Sequence, residues 1–164
     1  MSTDLNIAWA RWEASGRVGA RAEVQDVRLW HAETQLHAFD AEAPYRADLT
    51  VNTQVQRAEG SGSFVVSADY VLKALGRVPD DEGEDDEPDY LAAEFTFTLI
   101  ALYQLREEKL EVELTDGELE AFSDSVGLMA LHPYAREFIQ DQTARVGLPS
   151  LTLGVARIVQ GEGS

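Results

Sequence analysis

Alternation of apolar and polar side chains over long stretches is the feature that most constrains this fold. Residues 47–56 alternate between apolar and polar side chains, and a two-residue period recurs over residues 64–75 and 91–105. Successive side chains of a strand point to opposite faces of its sheet. The pattern therefore predicts three long strands with one dry face and one polar face, which is typical of antiparallel sheets.

A further long strand is predicted over residues 24–38, ahead of these three. Val27 and Leu29 lie on one face of it, but from Trp30 the apolar set moves to the other face and continues through Ala32 and Leu36. A change of face within one strand indicates a bulge or a bend. Because no helical period separates the four strands, we expect a four-stranded antiparallel β-meander.

The chain becomes helical after the last strand. Thr115 and Glu118 have the spacing of a capping box, which predicts that a helix begins there. Pro133 suits the first position of a further helix, where its missing N–H costs nothing, and Gly147 is typical of a helix end. The predicted class is α+β: a four-stranded antiparallel β-meander followed by one long α-helix that packs on it.

The predicted organisation is a single domain over residues 1–164. It comprises an N-terminal arm (1–19), an acidic hairpin loop (79–90) and a tail (156–164). Residues 5–12 have helical spacing, and this arm either packs its two Trp on the body or binds a partner. Ser15-Gly16 and Gly19 are expected to break its helical pattern.

The net charge of −17 results from 30 acidic and 13 basic residues. It disfavours nucleic acid and anionic membranes as partners. Eight acids lie within residues 80–89, and without them 22 acidic residues face 13 basic ones, a net charge of −9. The loop is either a solvated hairpin end or a docking site for a basic partner. The candidate docking residues in it are Asp80, Asp81, Glu82, Glu84, Asp85, Asp86 and Glu87.

No residue pattern predicts catalysis, a cofactor or a metal site. The chain has no Cys, which excludes disulfides, thiol catalysis and thiolate zinc sites. His31 and His37 would lie about 20 Å apart on one strand, and His132 has no flanking ligand motif, so each is expected to be structural or exposed. No apolar run approaches the roughly 20 residues of a membrane helix, and no secretory signal is visible. We expect a cytoplasmic protein that is not an enzyme and does not insert into membranes.

Apolar side chains occur on both faces of the predicted sheet. Val65 and Val71 on one strand, and Ile100 and Leu102 on the next, fall opposite to the main apolar rows. A single helix cannot cover both faces. The remaining apolar surface is expected to serve a subunit interface, an apolar ligand or both.

Two motifs in the C-terminal third resemble the SecB family of bacterial protein-export chaperones. The first is Leu131-His132-Pro133-Tyr134-Ala135-Arg136-Glu137, and the second is Arg145-Val146-Gly147-Leu148-Pro149-Ser150-Leu151-Thr152-Leu153. They match the Pro-Tyr-Ala-Arg-Glu helix start and the Arg-x-Gly-x-Pro-x-Leu-x-Leu exit of that family. With the order of the four long strands, the resemblance covers roughly residues 20–155.

The resemblance implies ATP-independent holding of unfolded or precursor polypeptides by a homotetramer, a dimer of dimers. It makes Pro133, Tyr134, Arg136 and Glu137 architectural residues of the helix that holds the tetramer. Family chains usually continue with a further helix after the Leu-x-Leu exit, and the tail is expected to lack it.

Client and partner contacts are also implied by the resemblance. Trp30, Phe39 and Tyr45 are the expected client contacts, the last two in the crossover between the first two strands. Asp26 matches an acidic position through which the family docks the motor ATPase SecA, whereas Thr96 stands at another. Some SecB-like proteins instead serve the antitoxin of a toxin–antitoxin system, so two chaperone roles remain open beside an adaptor that binds one basic partner through the acidic loop.

Overall fold

The four long strands form one antiparallel sheet. A computed structural model describes residues 3–7, 9–38, 46–58, 62–76, 90–106, 113–154 and 156–160. The elements are β1 (Thr3–Ile7), α1 (Trp9–Gly19), β2 (Ala22–Leu36), β3 (Arg46–Arg57), β4 (Ser63–Gly76), β5 (Tyr90–Leu105), α2 (Asp116–Phe122), a π-helical turn (Ser123–Gly127), α3 (Leu128–Arg145) and β6 (Ala156–Gln160). In this part of the chain no helix combines the length and the apolarity needed to span a bilayer.

The predicted α+β class is confirmed, with four antiparallel strands and a long C-terminal helix. The strand order is β2-β5-β4-β3, which differs from a simple meander because β2 pairs with β5 and not with β3. In the β2–β5 register, Val27 pairs with Ala101 and Leu29 pairs with Leu99. β5 is one of the two central strands. Consecutive strands are neighbours only about two-thirds of the time, and here β2 pairs along β5 from Ala22 to Leu36, although none of its residues is fully buried.

The predicted bulge at Trp30 is confirmed. The β2–β5 register shifts between Leu29 and His31, so Trp30 is the extra residue. Leu29 and Ala32 consequently both pair with inward-facing residues of β5. The change of face seen in the sequence is thus absorbed by the extra residue, and the apolar set stays on one side of the sheet.

The core lies between the sheet and the helices, on the inner face of β4 and β5. Phe97 stacks on Tyr70 with ring centroids 4.7 Å apart and contacts Phe138 of α3 at 4.4 Å. Phe64 stacks on Tyr103 at 5.1 Å. These aromatic pairs join the two central strands to each other and to the helix layer.

Two tyrosine hydroxyls in this core lack hydrogen-bond partners among the described residues. Tyr70 and Tyr103 are 1% and 4% exposed, and burial raises the pKa of both phenols. An unsatisfied buried hydroxyl costs free energy. We therefore expect Tyr70→Phe and Tyr103→Phe to leave the free energy of unfolding unchanged or to raise it by about 1 kcal/mol. Urea denaturation measures this, and a loss above about 1 kcal/mol in either variant would contradict it.

The capping box predicted at Thr115 is confirmed. The Thr115 hydroxyl accepts from the Glu118 N–H at 3.2 Å, and the Glu118 carboxylate accepts from the Thr115 N–H at 2.9 Å. α2 therefore begins where the sequence places a helix start.

Helix α3 does not begin at Pro133, and that prediction is wrong. The helix begins at Leu128, and through the π-helical turn it is continuous with α2. Leu131, Ala135 and Ile139 are fully buried on both sides of Pro133. Burial of this apolar stripe against the sheet outweighs the hydrogen bond that proline cannot donate. The predicted end is confirmed, since Gly147 has φ +78° and directly follows the helix cap at Val146.

The π-helical turn brings the helix layer very close to the sheet. A Cβ added to Gly127 would lie 3.2 Å from the carbonyl oxygen of Phe122 and 3.2 Å from Cγ1 of Val66. Both contacts are tighter than most Cβ contacts in proteins, so a larger residue at Gly127 would require the neighbouring atoms to shift by a few tenths of an ångström.

The N-terminal segment forms a strand and then a helix that begins later than predicted. β1 pairs in parallel with β6, and α1 runs from Trp9 to Gly19. The expectation that Ser15-Gly16 breaks the helix is wrong. Ser15 and Val18 are fully buried, so tertiary packing overrides the weak helix propensity of this stretch.

Glu118 also links α2 to α1. Its carboxylate accepts from the Thr115 backbone and from Arg17 Nε at 2.8 Å, and these contacts hold the pKa of Glu118 below its usual value of 4.5. A depressed pKa stabilises the fold above pH 4.5, and this contribution is lost as the pH falls through the folded-state pKa.

We expect Glu118→Gln to cost about 0.5–1 kcal/mol at pH 7, because glutamine keeps the capping oxygen but loses the charge. The difference in the free energy of unfolding between this variant and the unmodified protein should shrink below pH 4.5. Urea denaturation at several pH values measures it. Glu120→Gln, on the exposed side of α2, is the control and should show no such pH-dependent difference. If Glu118→Gln lowered the free energy of unfolding by the same amount at every pH, this would contradict a stabilising role of the charged Glu118 carboxylate.

Candidate functional site

An apolar groove runs between the edge strand β2 and helix α3. It encloses about 450 Å³, and its apolar wall consists of Val27, Leu29, Leu99, Tyr134 and Phe138. β2 is an edge strand, and no described strand pairs with its free edge, so the groove opens at an edge of the sheet. Leu29 and Tyr134 are 49% and 47% exposed. Apolar side chains this exposed, side by side on two elements, are typical of a contact surface.

The position of α3 explains why this groove stays open. Phe138 packs on Phe97, near the middle of the sheet, so that α3 lies over the central strands and leaves the inner face of β2 partly uncovered. Four charged side chains surround the apolar wall, and within this rim Arg145 Nε pairs with Asp141 at 2.6 Å. The groove can therefore bury apolar side chains while its rim remains hydrated.

The four predicted architectural residues all have exposed side chains on α3. Tyr134 and Glu137 line the groove, whereas Pro133, Arg136 and Glu137 line a second depression of about 330 Å³ on the same helix. Ala135, between them, is buried against the sheet. Side chains that hold subunits together must be exposed in a single chain, and these four meet that requirement. Their architectural role stays a prediction.

The predicted client contacts are only partly described by the structure. Trp30 is 73% exposed and stands at the bulge, next to Leu29 of the groove. Phe39 and Tyr45 lie outside the described residues, as do Asp80, Asp81, Glu82, Glu84, Asp85, Asp86 and Glu87 of the acidic loop. These roles stay predictions as well.

Asp26 lies on the outer face of the sheet, opposite Leu102 of β5. Its carboxylate pairs with Arg28 Nε at 2.5 Å, so its charge is locally compensated. The described helices pack against the other face. The outer face therefore remains a flat surface of partly exposed residues, and docking of a motor ATPase through Asp26 stays a prediction.

The histidines form no shared site among the described residues. His31 and His37 are exposed, whereas His132 is buried with Nε2 2.7 Å from the carbonyl oxygen of Gly154. This contact fastens the segment after α3 to the helix. No group of three His, Asp or Glu side chains in the described ranges has the arrangement of a metal site.

Sequence reasoning missed part of the groove. Phe138, Asp141 and Arg145 line it together with Tyr134, at helical spacings along one face of α3. This spacing was readable in the sequence, because residues three and four apart share a helix face. Their partner Leu29 could not be identified in that way, since it comes from a strand about 100 residues away.

Comparison with known proteins places the chain in a family. No family model matches it. The curated SecB-like chaperone Rv1957 of Mycobacterium tuberculosis H37Rv is 33% identical over 150 residues, which span 85% of this chain and 80% of that protein. This chain belongs to the SecB-like chaperone family. The SecB-like chaperone MT2006 of M. tuberculosis CDC 1551 matches with the same identity and coverage.

The SecB-like fold is supported by a solved structure as well. This is the M. tuberculosis Rv1957 SecB-like chaperone in complex with a ChAD peptide from the Rv1956 HigA1 antitoxin. It superimposes with a TM-score of 0.77 and 26% sequence identity, over 89% of this chain and 97% of that one. These SecB-like relatives are named as chaperones and not as enzymes.

Proposed function

We propose that this SecB-like protein is the dedicated chaperone of an antitoxin in a toxin–antitoxin system and binds a peptide segment of that antitoxin without ATP. The observation that carries this proposal is the solved relative, which holds an antitoxin peptide and superimposes over 89% of this chain. We carry the partner class over from that relative and leave the sequence of the antitoxin open.

The surface chemistry supports peptide binding. Exposed apolar side chains occur on β2 beside the groove as well, where Val24 and Trp30 are each more than half exposed. Burial of apolar side chains contributes about 25 cal/mol per Å² before the costs of ordering the peptide. The net charge of −17 favours a client segment that carries basic residues. In this proposal Trp30, Phe39 and Tyr45 contact the client, and only Trp30 of these three lies within the described residues.

Assembly into a homotetramer is part of the same proposal. The groove between β2 and α3 leaves Leu29 and Tyr134 half exposed in the single chain, and a second chain would cover them. Pro133, Arg136 and Glu137 would contribute polar and shape-fitting contacts around this apolar centre. A cytoplasmic location follows from this proposed role.

Titration with a fluorescein-labelled ChAD peptide tests the proposal. We expect saturable binding without ATP, at least about tenfold tighter than binding of a scrambled peptide. Trp30→Ala should weaken it about tenfold or more. Trp9→Ala is the matched control, since Trp9 is also exposed (58%) but lies on α1.

A competition experiment separates the dedicated role from the general one. Reduced, carboxymethylated α-lactalbumin is a permanently unfolded competitor, and we expect it to displace the peptide only weakly. Equal competition would favour a general holdase for unfolded or precursor polypeptides, as in delivery to SecA. Absence of saturable binding to both probes would contradict a chaperone role. An adaptor that works through the acidic loop would instead lose its partner when residues 80–87 are neutralised.

A further inference from the structure

Helix α1 packs closely along α2, and among the described residues few polar side-chain contacts hold it there. Arg11 pairs with Asp124 of the π-helical turn, and Arg17 pairs with Glu118 of α2 at 2.8 Å. Between these ion pairs the Ser15 and Ser125 hydroxyl oxygens lie 2.6 Å apart. Both arginines are more than half exposed, so solvent and salt weaken both pairs.

α1 covers an apolar part of the helix layer. The position of a Cβ on Gly19 lies 3.7 Å from the Phe122 ring and 3.9 Å from Cγ1 of Val126. Val18 belongs to the same buried cluster as Phe122. Departure of α1 would therefore expose Phe122 and Val126 beside the two acids that now bind its arginines.

The anchor of α1 is also connected to the sheet. The Asp124 carboxylate accepts a hydrogen bond from the Thr53 hydroxyl of β3, in addition to its ion pair with Arg11. β3 is an edge strand of the sheet. The surface under α1 consequently joins α2, the π-helical turn and an edge of the sheet.

α1 has little helix stability of its own. Gly16 lies in its interior with no atom within 4 Å of the position of a Cβ, so packing does not require glycine there. Trp9, its first residue, is 58% exposed and adds little to docking. A short helix that combines weak propensity with few buried residues belongs to the low-stability end of a structure.

We propose that α1 is a displaceable strap, and that the client peptide takes its place on α2 and the π-helical turn. The side chains of α1 indicate which peptide would fit this surface. Such a peptide carries two basic residues six positions apart, which pair with Asp124 and Glu118. Between and after them it carries a small residue and an aliphatic residue at the positions of Ser15 and Val18. This inference rests on the proposed function, because it assigns the peptide of that function to a second surface.

A disulfide lock tests the strap. The chain has no Cys, so the double substitution Ser15→Cys and Ser125→Cys places two thiols where two hydroxyls now touch, and no other disulfide can form. We expect the oxidised variant to bind the labelled ChAD peptide about tenfold more weakly or worse, and we expect reduction with dithiothreitol to restore the affinity.

The matched control is the double substitution Ser63→Cys and Gln104→Cys. These residues face each other on β4 and β5, which are already paired, so oxidation should leave peptide affinity unchanged. Equal affinity of the oxidised and reduced strap variant would overturn the inference. If the reduced variant and the unmodified protein both fail to bind, the proposed function fails instead.

A second variant does not depend on disulfide formation. Gly16→Ala should favour the docked helix and weaken peptide binding about fivefold. Gly117→Ala is the matched control on α2, since Gly117 also has open space around its Cβ position, and it should leave affinity unchanged.

Hydrogen exchange measures the stability of the docked helix α1 in the absence of peptide. We expect the amides of α1 to exchange about a hundredfold faster than those of α3 and to exchange still faster when the ChAD peptide is bound. Exchange of α1 as slow as that of α3, or slower exchange of α1 on peptide binding, would overturn the inference.

Discussion

Phe97→Ala is expected to remove about 3–5 kcal/mol from the free energy of unfolding. The Phe97 ring is fully buried, stacks on Tyr70 at 4.7 Å and contacts Phe138 at 4.4 Å. Its removal leaves a cavity between the central strand and α3, bounded by two aromatic rings that cannot easily move into it. Urea denaturation followed by circular dichroism measures the loss.

Leu102→Ala is the matched control for this substitution. Leu102 lies on the same strand, but it is 40% exposed on the outer face of the sheet. We expect it to cost less than about 1 kcal/mol. Similar losses for the two variants would contradict the placement of the core on one face only.

Leu29→Asp combined with Tyr134→Asp is expected to abolish assembly into the proposed tetramer. The two side chains lie on the wall of the groove between β2 and α3. Burying two carboxylates without partners in an apolar interface costs several kcal/mol, which corresponds to about a thousandfold or more in the association constant. Light scattering at micromolar concentration should show four chains for the unmodified protein and fewer for the variant.

The control for assembly is Trp9→Asp, which places a carboxylate at an exposed apolar position on α1, outside the groove. The tetramer should persist in this variant. A monomeric unmodified protein, or dissociation of the control and the groove variant alike, would contradict the assignment of the interface to β2 and α3.

The two proposed surfaces differ in how they become available. The groove between β2 and α3 is open in the single chain, and a further chain can bury it directly. The surface on Phe122 and Val126 is covered by α1 and becomes free only when the strap leaves. Assembly and client binding can therefore use different parts of the helix layer, so the assembly variants and the strap variants should act on separate measurements.

Much of the site could be anticipated from particular residues, and some of it could not. The two motifs around Pro133 and Gly147 indicated the family, which the comparison with Rv1957 confirms. The helical spacing of Tyr134 and Phe138 could have indicated one wall of the groove. Leu29 could not be assigned to the other wall, because the contact depends on where α3 crosses the sheet.

Local patterns were sufficient for the class of the fold and for several of its details. The two-residue period of the strands, the bulge at Trp30 and the capping box at Thr115 each depend on a few consecutive residues and their backbone geometry. The sequence by itself determined these features because the physical rule behind each one acts within a short segment.

Only the tertiary structure decided the strand order, the continuous helix through Pro133 and the helical conformation of Ser15-Gly16. For the two helical features, the burial of apolar surface against a distant part of the chain outweighed a local preference. β2 lies beside β5 through a backbone ladder that runs from Ala22 to Leu36, and α1 is helical because Val18 docks on the helix layer. Such outcomes depend on which surfaces meet, and no short stretch of sequence contains that information.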